Sequence, residues 1–196
     1  MAPQQCASGK PRVLAIAGSL RQGSYNRRLL DLACQGAKAA GGEVTELDLG
    51  RYPLPLYGAD LERTGLPEPA RALQELVRTH DGLLIATPEY YSTLPPLLVN
   101  VLVWVSRAAA AGQACVFVDK VAGLLSASTA QTGGLRGISQ LSSILGNLGA
   151  IVVPYPVGVS YAQSAFTSAG ELHDKALEGR VAGVGRSVIE LIQRLS

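Results

Sequence analysis

A chain of 196 residues and 20.4 kDa suits one domain with a full core and leaves little room for a second. Its 17 Lys and Arg against 15 Asp and Glu leave a formal charge of +2, too weak a positive balance to argue for nucleic acid or an anionic membrane. A hydrophobic content of 47% excludes a disordered or collagen-like chain, while 16% charged residues fall short of the roughly 25% usual in globular domains. Part of the surface is therefore expected to lie under another subunit.

Cys6, Cys34 and Cys115 are an odd number, far apart, with neither C-x-x-C nor zinc spacing, which points to a reducing compartment and to no metal site. The longest apolar run, Leu94 to Val105, contains Asn100 and is shorter than the roughly 20 residues that cross a bilayer. Residues 1–10, MAPQQCASGK, lack an apolar core segment and read as a disordered lead-in to a single domain over residues 11–196. The cytoplasm is the expected location.

In chain order, Val13 to Ala17 is a continuous apolar run closed by Gly18, the pattern of a strand buried on both faces. After the loop GSLRQGSYN a helix is predicted from about Arg27 to Ala40, ended by Gly41 and Gly42. Val44 to Leu49 alternates like a strand near a sheet edge. A Pro-rich segment leads to a helix entered at Pro69, with Ala70, Leu73, Leu76 and Val77 on one face, and Gly82 opens the third strand. A helix from Pro95 to Arg107, a strand over Val121 to Ala127, a helix over Leu135 to Leu148 and a fifth strand over Ala150 to Val153 follow. The last helix carries a predicted core stripe of Leu177, Val181, Val184, Val188, Leu191 and Leu195. Alternating β and α units predict an α/β fold with a doubly wound, five-stranded parallel sheet and helices on both faces. Ligands of such sheets sit beyond the carboxyl ends of the strands, so the loops after strands one, three and four are the candidate site.

The first loop, Gly18 to Asn26, combines glycines, hydroxyls, Arg21 and a helix start, which together make an anion site. An ordinary capped βα turn with a solvated Arg has the same composition. The loop is neither G-x-G-x-x-G nor G-x-x-x-x-G-K-[ST], which argues against a dinucleotide-first site and a P-loop NTPase.

GSLRQGSYN, followed by TPEYYSTLPPLLVNVLVWVSR and by SASTAQTGGLRG, resembles the NADPH-dependent FMN reductase family of flavodoxin-like proteins, which includes quinone, chromate and azo-dye reductases. The resemblance spans about Val13 to Pro154 and implies a flavodoxin-like domain with FMN bound through its phosphate in the first loop. Carried over by position, Ser19, Arg21, Ser24, Tyr25 and Asn26 would form the phosphate end. Pro88, Glu89, Tyr90, Tyr91 and Ser92 would line the isoalloxazine ring, and Ser128, Thr129 and Gly133 its other edge. Two positions depart from the family pattern: Tyr91 stands where Asn is usual, and Thr93 where Ser is usual. Tyr91 is expected to lie over the pocket and narrow it, the alternative being a phenol swung out towards a neighbouring subunit. Glu89 also has a purely structural reading, as a cap on the turn that follows it.

The resemblance further implies NADPH as hydride donor, with Arg21 and Arg136 as candidate partners of its extra phosphate, and a quinone, chromate, azo compound or free flavin as acceptor. No protein acid or base is required, because the cofactors carry the chemistry. His80 and His173 lie far from the three loops in sequence and read as structural. The alternative function is a flavodoxin-type electron carrier. Such carriers typically bind phosphate with a Thr/Ser-rich loop lacking Arg, on a more acidic protein. A homodimer or homotetramer is expected to form on the Pro95 to Arg107 helix. That helix has Val99 and Val103 where the family has Lys and Asp, and so is apolar nearly all round.

Overall fold

Residues 9–107 and 114–196 are described in the computed structural model; Cys6 and most of the N-terminal lead-in lie outside them. The apolar runs form the centre of a parallel sheet: β1 (Arg12–Ala17), β3 (Gly82–Ala86) and β4 (Val121–Ala127), flanked by β2 (Glu43–Leu47) and β5 (Ile151–Val152) in the order β2-β1-β3-β4-β5. Ala17 pairs with Ala86, and Ala86 with Leu125, so β1 and β3 end level with one another while β4 runs two residues further, to Ala127. Side chains alternate between two cores. Val13, Ala15 and Ala17 pack on one face, while Leu14 and Ile16 pack on the other.

The first core is closed by α1 (Tyr25–Ala39) and the C-terminal helix Lys175–Leu195. These helices meet backbone to backbone, since a Cβ on Gly36 would overlap the Ala182 carbonyl and one on Gly185 the Ala33 carbonyl. That close approach fixes which face of the last helix turns inward. Val181, Val184 and Val188 are buried as predicted, but Gly185, Ile189 and Ile192 join them, Leu177 and Leu191 are only half-buried, and Leu195 is 57% exposed. Cys34 lies in this contact, its thiol pushed up to about 12 by burial, which makes it inert at neutral pH.

The short helix α2 (Ala59–Arg63) leaves no mark in the periodicity; α3 (Glu68–Arg78), α4 (Pro96–Ser106) and α5 (Leu135–Asn147) cover the second core. The outer side of α4, expected to need a partner subunit, is largely covered by the chain's own residues 52–57. Trp104 Nε1 and Asn100 Nδ2 both donate to the Pro55 carbonyl, at 2.8 and 2.9 Å, the Tyr57 N–H donates to Asn100 Oδ1, and the Tyr57 and Trp104 rings meet edge to face. Val99 stays partly exposed on this surface.

The fifth sheet position is split, which corrects the single strand predicted there. After β5 pairs with Val121 and Ala122, the chain leaves the edge at Val-Pro-Tyr-Pro and returns as β6 (Val157–Val159) against Leu125 to Ala127. Pro154 and Pro156 have no N–H to donate, and Tyr155 takes a φ of 61°, so a continuous rung pattern is impossible here. The short helix α6 (Ala162–Ala165) follows, and the C-terminal helix is α7.

Candidate flavin site

The first loop leaves β1 at Gly18, whose N–H donates to the Ala86 carbonyl at 2.8 Å, and enters α1 at Ser24. It borders a hollow of about 290 Å³ lined by Ser19 to Ser24, Arg27, Arg28 and Asp48. Three arginines thus stand at the start of a helix with no acidic residue in its first turn, where the helix dipole already favours an anion. The Ser24 side chain makes no capping bond, and Asp48 is engaged elsewhere: it accepts from the Gly50 N–H and lies 3.8 Å from Arg51. These features fit a phosphate monoester. The hydroxyl of Ser19 accepts from the Arg21 N–H, and the Arg21 guanidinium rests over the Tyr25 ring at 5.2 Å. Tyr25 in turn stacks on Phe166, so it supports Arg21 from below.

Asn26 departs from the role expected for it. Its side chain is 4% exposed and is engaged at both ends by one residue of β4: Nδ2 donates to the Ala127 carbonyl at 2.9 Å, and Oδ1 accepts from the Ala127 N–H at 2.8 Å. A carboxamide occupied in this way joins α1 to the sheet and is not a free phosphate donor in the loop.

In the second loop, Tyr90 and Thr93 exchange two backbone hydrogen bonds of 2.9 Å, closing a two-residue turn with φ 49° at Tyr91 and 65° at Ser92. Both central residues sit in the left-handed region, where neither Tyr nor Ser is at ease. Helix α5 holds the turn: Arg136 Nη1 donates to Ser92 Oγ, Gln140 Nε2 to the Ser92 carbonyl, and the Thr93 hydroxyl to Gln140 Oε1. Glu89 accepts from the Gly137 N–H at 3.1 Å, so it caps α5 and not the turn that follows it in sequence. Tyr91, at 103% relative exposure, projects fully into solvent. Its phenol packs on no other part of this chain among the described residues.

The third loop contains Ser128, which accepts from the Ala130 N–H, exposed Thr129, and Gly133 and Gly134 at φ 61° and 80°. The glycines serve packing as well as turning. A Cβ on Gly133 would press on Gly158 and Ser160, and one on Gly134 would overlap Ser126 Oγ. That hydroxyl is fully buried and is the one buried side-chain polar atom without a partner among the described residues.

Arg136 is thus tied to the second loop and Arg21 to the first. Arg27, Arg28 and Gln140 are site residues that sequence reasoning passed over; a pair of arginines in the first turn of α1 was the available signal for two of them. His80 is buried between Leu76 and Thr45, and His173 is exposed at the start of α7; neither borders the hollow. Among the described residues no cluster of His, Cys, Asp and Glu could hold a metal, and no helix is long and apolar enough to cross a membrane.

A doubly wound parallel sheet carrying an arginine-rich anion loop after its first strand, with two further loops level with it, defines a flavodoxin-like nucleotide-binding protein. The family model described as NADPH-dependent FMN reductase matches residues 11–164. An NAD(P)H-dependent FMN reductase of Pseudomonas aeruginosa is 36% identical over 169 residues, 85% of this chain and 88% of that protein. A quinone reductase of Escherichia coli is 31% identical over 194 residues, 96% of this chain and 98% of its own. Among solved structures, the flavoenzyme NAD(P)H:(acceptor) oxidoreductase of Paracoccus denitrificans superposes with a TM-score of 0.78 over 94% of this chain and 98% of its own, at 24% identity, and so shares the fold. This chain belongs to the NADPH-dependent FMN reductase family. It is a flavin-dependent oxidoreductase using FMN and NAD(P)H, and the enzyme reading stands over that of an electron carrier.

Proposed function

We propose that this chain passes electrons from NADPH, by way of FMN, to quinones and similar small oxidants, with residues 11–196 working as one unit. The observation that carries the reading is the first loop: three arginines, a helix start and an unengaged Ser24 around one hollow, with its single carboxylate occupied elsewhere. FMN supplies acceptance and donation of hydride when bound. Ser19, Arg21, Ser24 and the neighbouring backbone amides would hold its phosphate, with Tyr25 keeping Arg21 in place. Pro88 to Ser92 would border one side of the ring, on a turn made rigid by Glu89, Arg136 and Gln140. Ser128, Thr129 and Gly133 would border the other side. The curated relatives named as quinone reductases support the acceptor class.

The same rim bears Leu20, Tyr90, Tyr91, Leu135 and Tyr161, all exposed and all at the carboxyl ends of strands or the starts of helices. Exposed apolar residues there, together with Val99, support a homodimer or homotetramer. An absorption spectrum of the purified protein and a steady-state assay with NADPH and a benzoquinone test the activity. Bound flavin and NADPH oxidation without any partner reductase are expected. Oxidation only with a partner reductase would make the protein a carrier, and failure to take up added FMN would overturn the reading altogether.

A further inference from the structure

We infer that Asn26 positions the flavin ring by ending the β3–β4 ladder and so setting where the second and third loops leave the sheet; the inference rests on the FMN reading above. The Thr87 N–H donates to the Leu125 carbonyl at 3.0 Å, the last rung that β3 makes with β4. The even spacing of a parallel ladder puts the next two rungs on Ala127, one from its N–H and one to its carbonyl. Both places are taken by the Asn26 amide, which offers an acceptor and a donor side by side as a peptide group does. Asn26 therefore stands in for the continuation of β3.

Released from the ladder, the two loops take other partners. The second turns towards α5, where Glu89 and Ser92 are held by Gly137 and Arg136. The third turns towards β6, where the Ser128 N–H donates to the Val159 carbonyl and Ser160 Oγ to the Gln131 carbonyl. Both loops lie at the carboxyl ends of the strands, where ligands of such sheets bind. Asn26 is the second residue of α1, so one side chain also ties the end of the first loop to the end of β4.

The test compares FMN with riboflavin, which has the ring but no phosphate. In Asn26→Ala, affinity for both flavins should fall by about tenfold together, the scale of a lost buried hydrogen-bond pair. Arg21→Ala should lower affinity for FMN alone. At saturating FMN, the visible circular dichroism of the bound ring should change in Asn26→Ala and stay as in the wild type in Arg21→Ala. Asn26→Gln keeps the carboxamide but displaces it by one methylene, and should lower affinity for both flavins together, which keeps the test open if Asn26→Ala does not fold. Loss of FMN affinity with riboflavin affinity and the ring spectrum unchanged would make Asn26 a phosphate ligand and overturn the inference. Unchanged binding of both flavins would overturn it too. A wild-type protein that binds neither flavin would instead overturn the FMN reading, and this inference with it.

Discussion

Ser126 Oγ fills the space in which a side chain on Gly134 would begin, so the end of β4 and the start of α5 have room for one of these groups and not both. Gly134 also has a φ of 80°, which only glycine adopts without strain. Gly134→Ala should therefore destabilise the fold by about 1 to 3 kcal/mol through overpacking, and Ser126→Gly should recover part of that loss. Ser126→Ala removes an unpartnered buried hydroxyl and should leave stability within about 1 kcal/mol of the wild type, or above it. Urea unfolding of the three variants and the double variant checks the coupling; additive effects would mean the two residues do not compete.

Arg21 is the arginine that Tyr25 holds in place over the first loop. Arg21→Ala should weaken FMN binding by about 1.5 to 3 kcal/mol, the scale of a charge-assisted hydrogen bond, with the melting temperature of the apoprotein almost unchanged. Fluorescence titration gives the affinity. An unaltered value would remove Arg21 from the phosphate end.

His80 is buried with Nδ1 2.6 Å from the Leu76 carbonyl and Nε2 2.8 Å from the Thr45 hydroxyl, an arrangement suited to the neutral ring donating to the first and accepting from the second. Burial lowers its pKa from the usual 6.5, and the positive charges of Arg12 and Lys120 add to this against Asp81 and the Leu76 bond. The unfolded chain thus takes up a proton more readily than the folded one. The stability involved is fully present above the unfolded pKa of 6.5 and is lost as pH falls through the lower folded value. The urea midpoint of the wild type should drop between about pH 7 and about pH 5, and His80→Gln should show a shallower drop; equal slopes would exclude His80 as a cause.

Tyr91 combines full exposure with a left-handed backbone. Tyr91→Asn or Tyr91→Gly should raise stability by about 1 kcal/mol, because both residues accept this conformation more readily. Since the phenol packs on nothing else among the described residues, kcat/KM for bulky and for small quinones should respond alike to either change. A selective gain for bulky quinones would show that the ring visits the pocket.

The central strands and long helices could be read from the sequence because each is an apolar run or stripe bounded by glycine or proline, as at Val13 to Gly18 and Pro69 to Val77. What escaped was non-local. Nothing near Asn26 announces a partner 101 residues away, and the inward face of α7 depends on where Gly185 meets α1. The second loop shows the same limit. Its residues were visible as a group, but Glu89, Ser92 and Thr93 owe their arrangement to α5, some 50 residues on. The turn at Tyr91 and Ser92 escaped for a local reason, since a pair of left-handed residues other than glycine or asparagine leaves no mark in composition.

A sheet whose last position is interrupted by Val-Pro-Tyr-Pro resists being lengthened by another strand on that side. The two prolines remove donors from the outer row, and the detour between β5 and β6 leaves pieces too short to template a neighbour. The opposite edge, β2, presents Glu43, Thr45 and Glu46 with little apolar surface. Subunits that join must therefore do so through helices and loops, leaving the strand ladders of each chain closed to one another. The same two edges deny a partly unfolded copy an easy start for fibrous stacking.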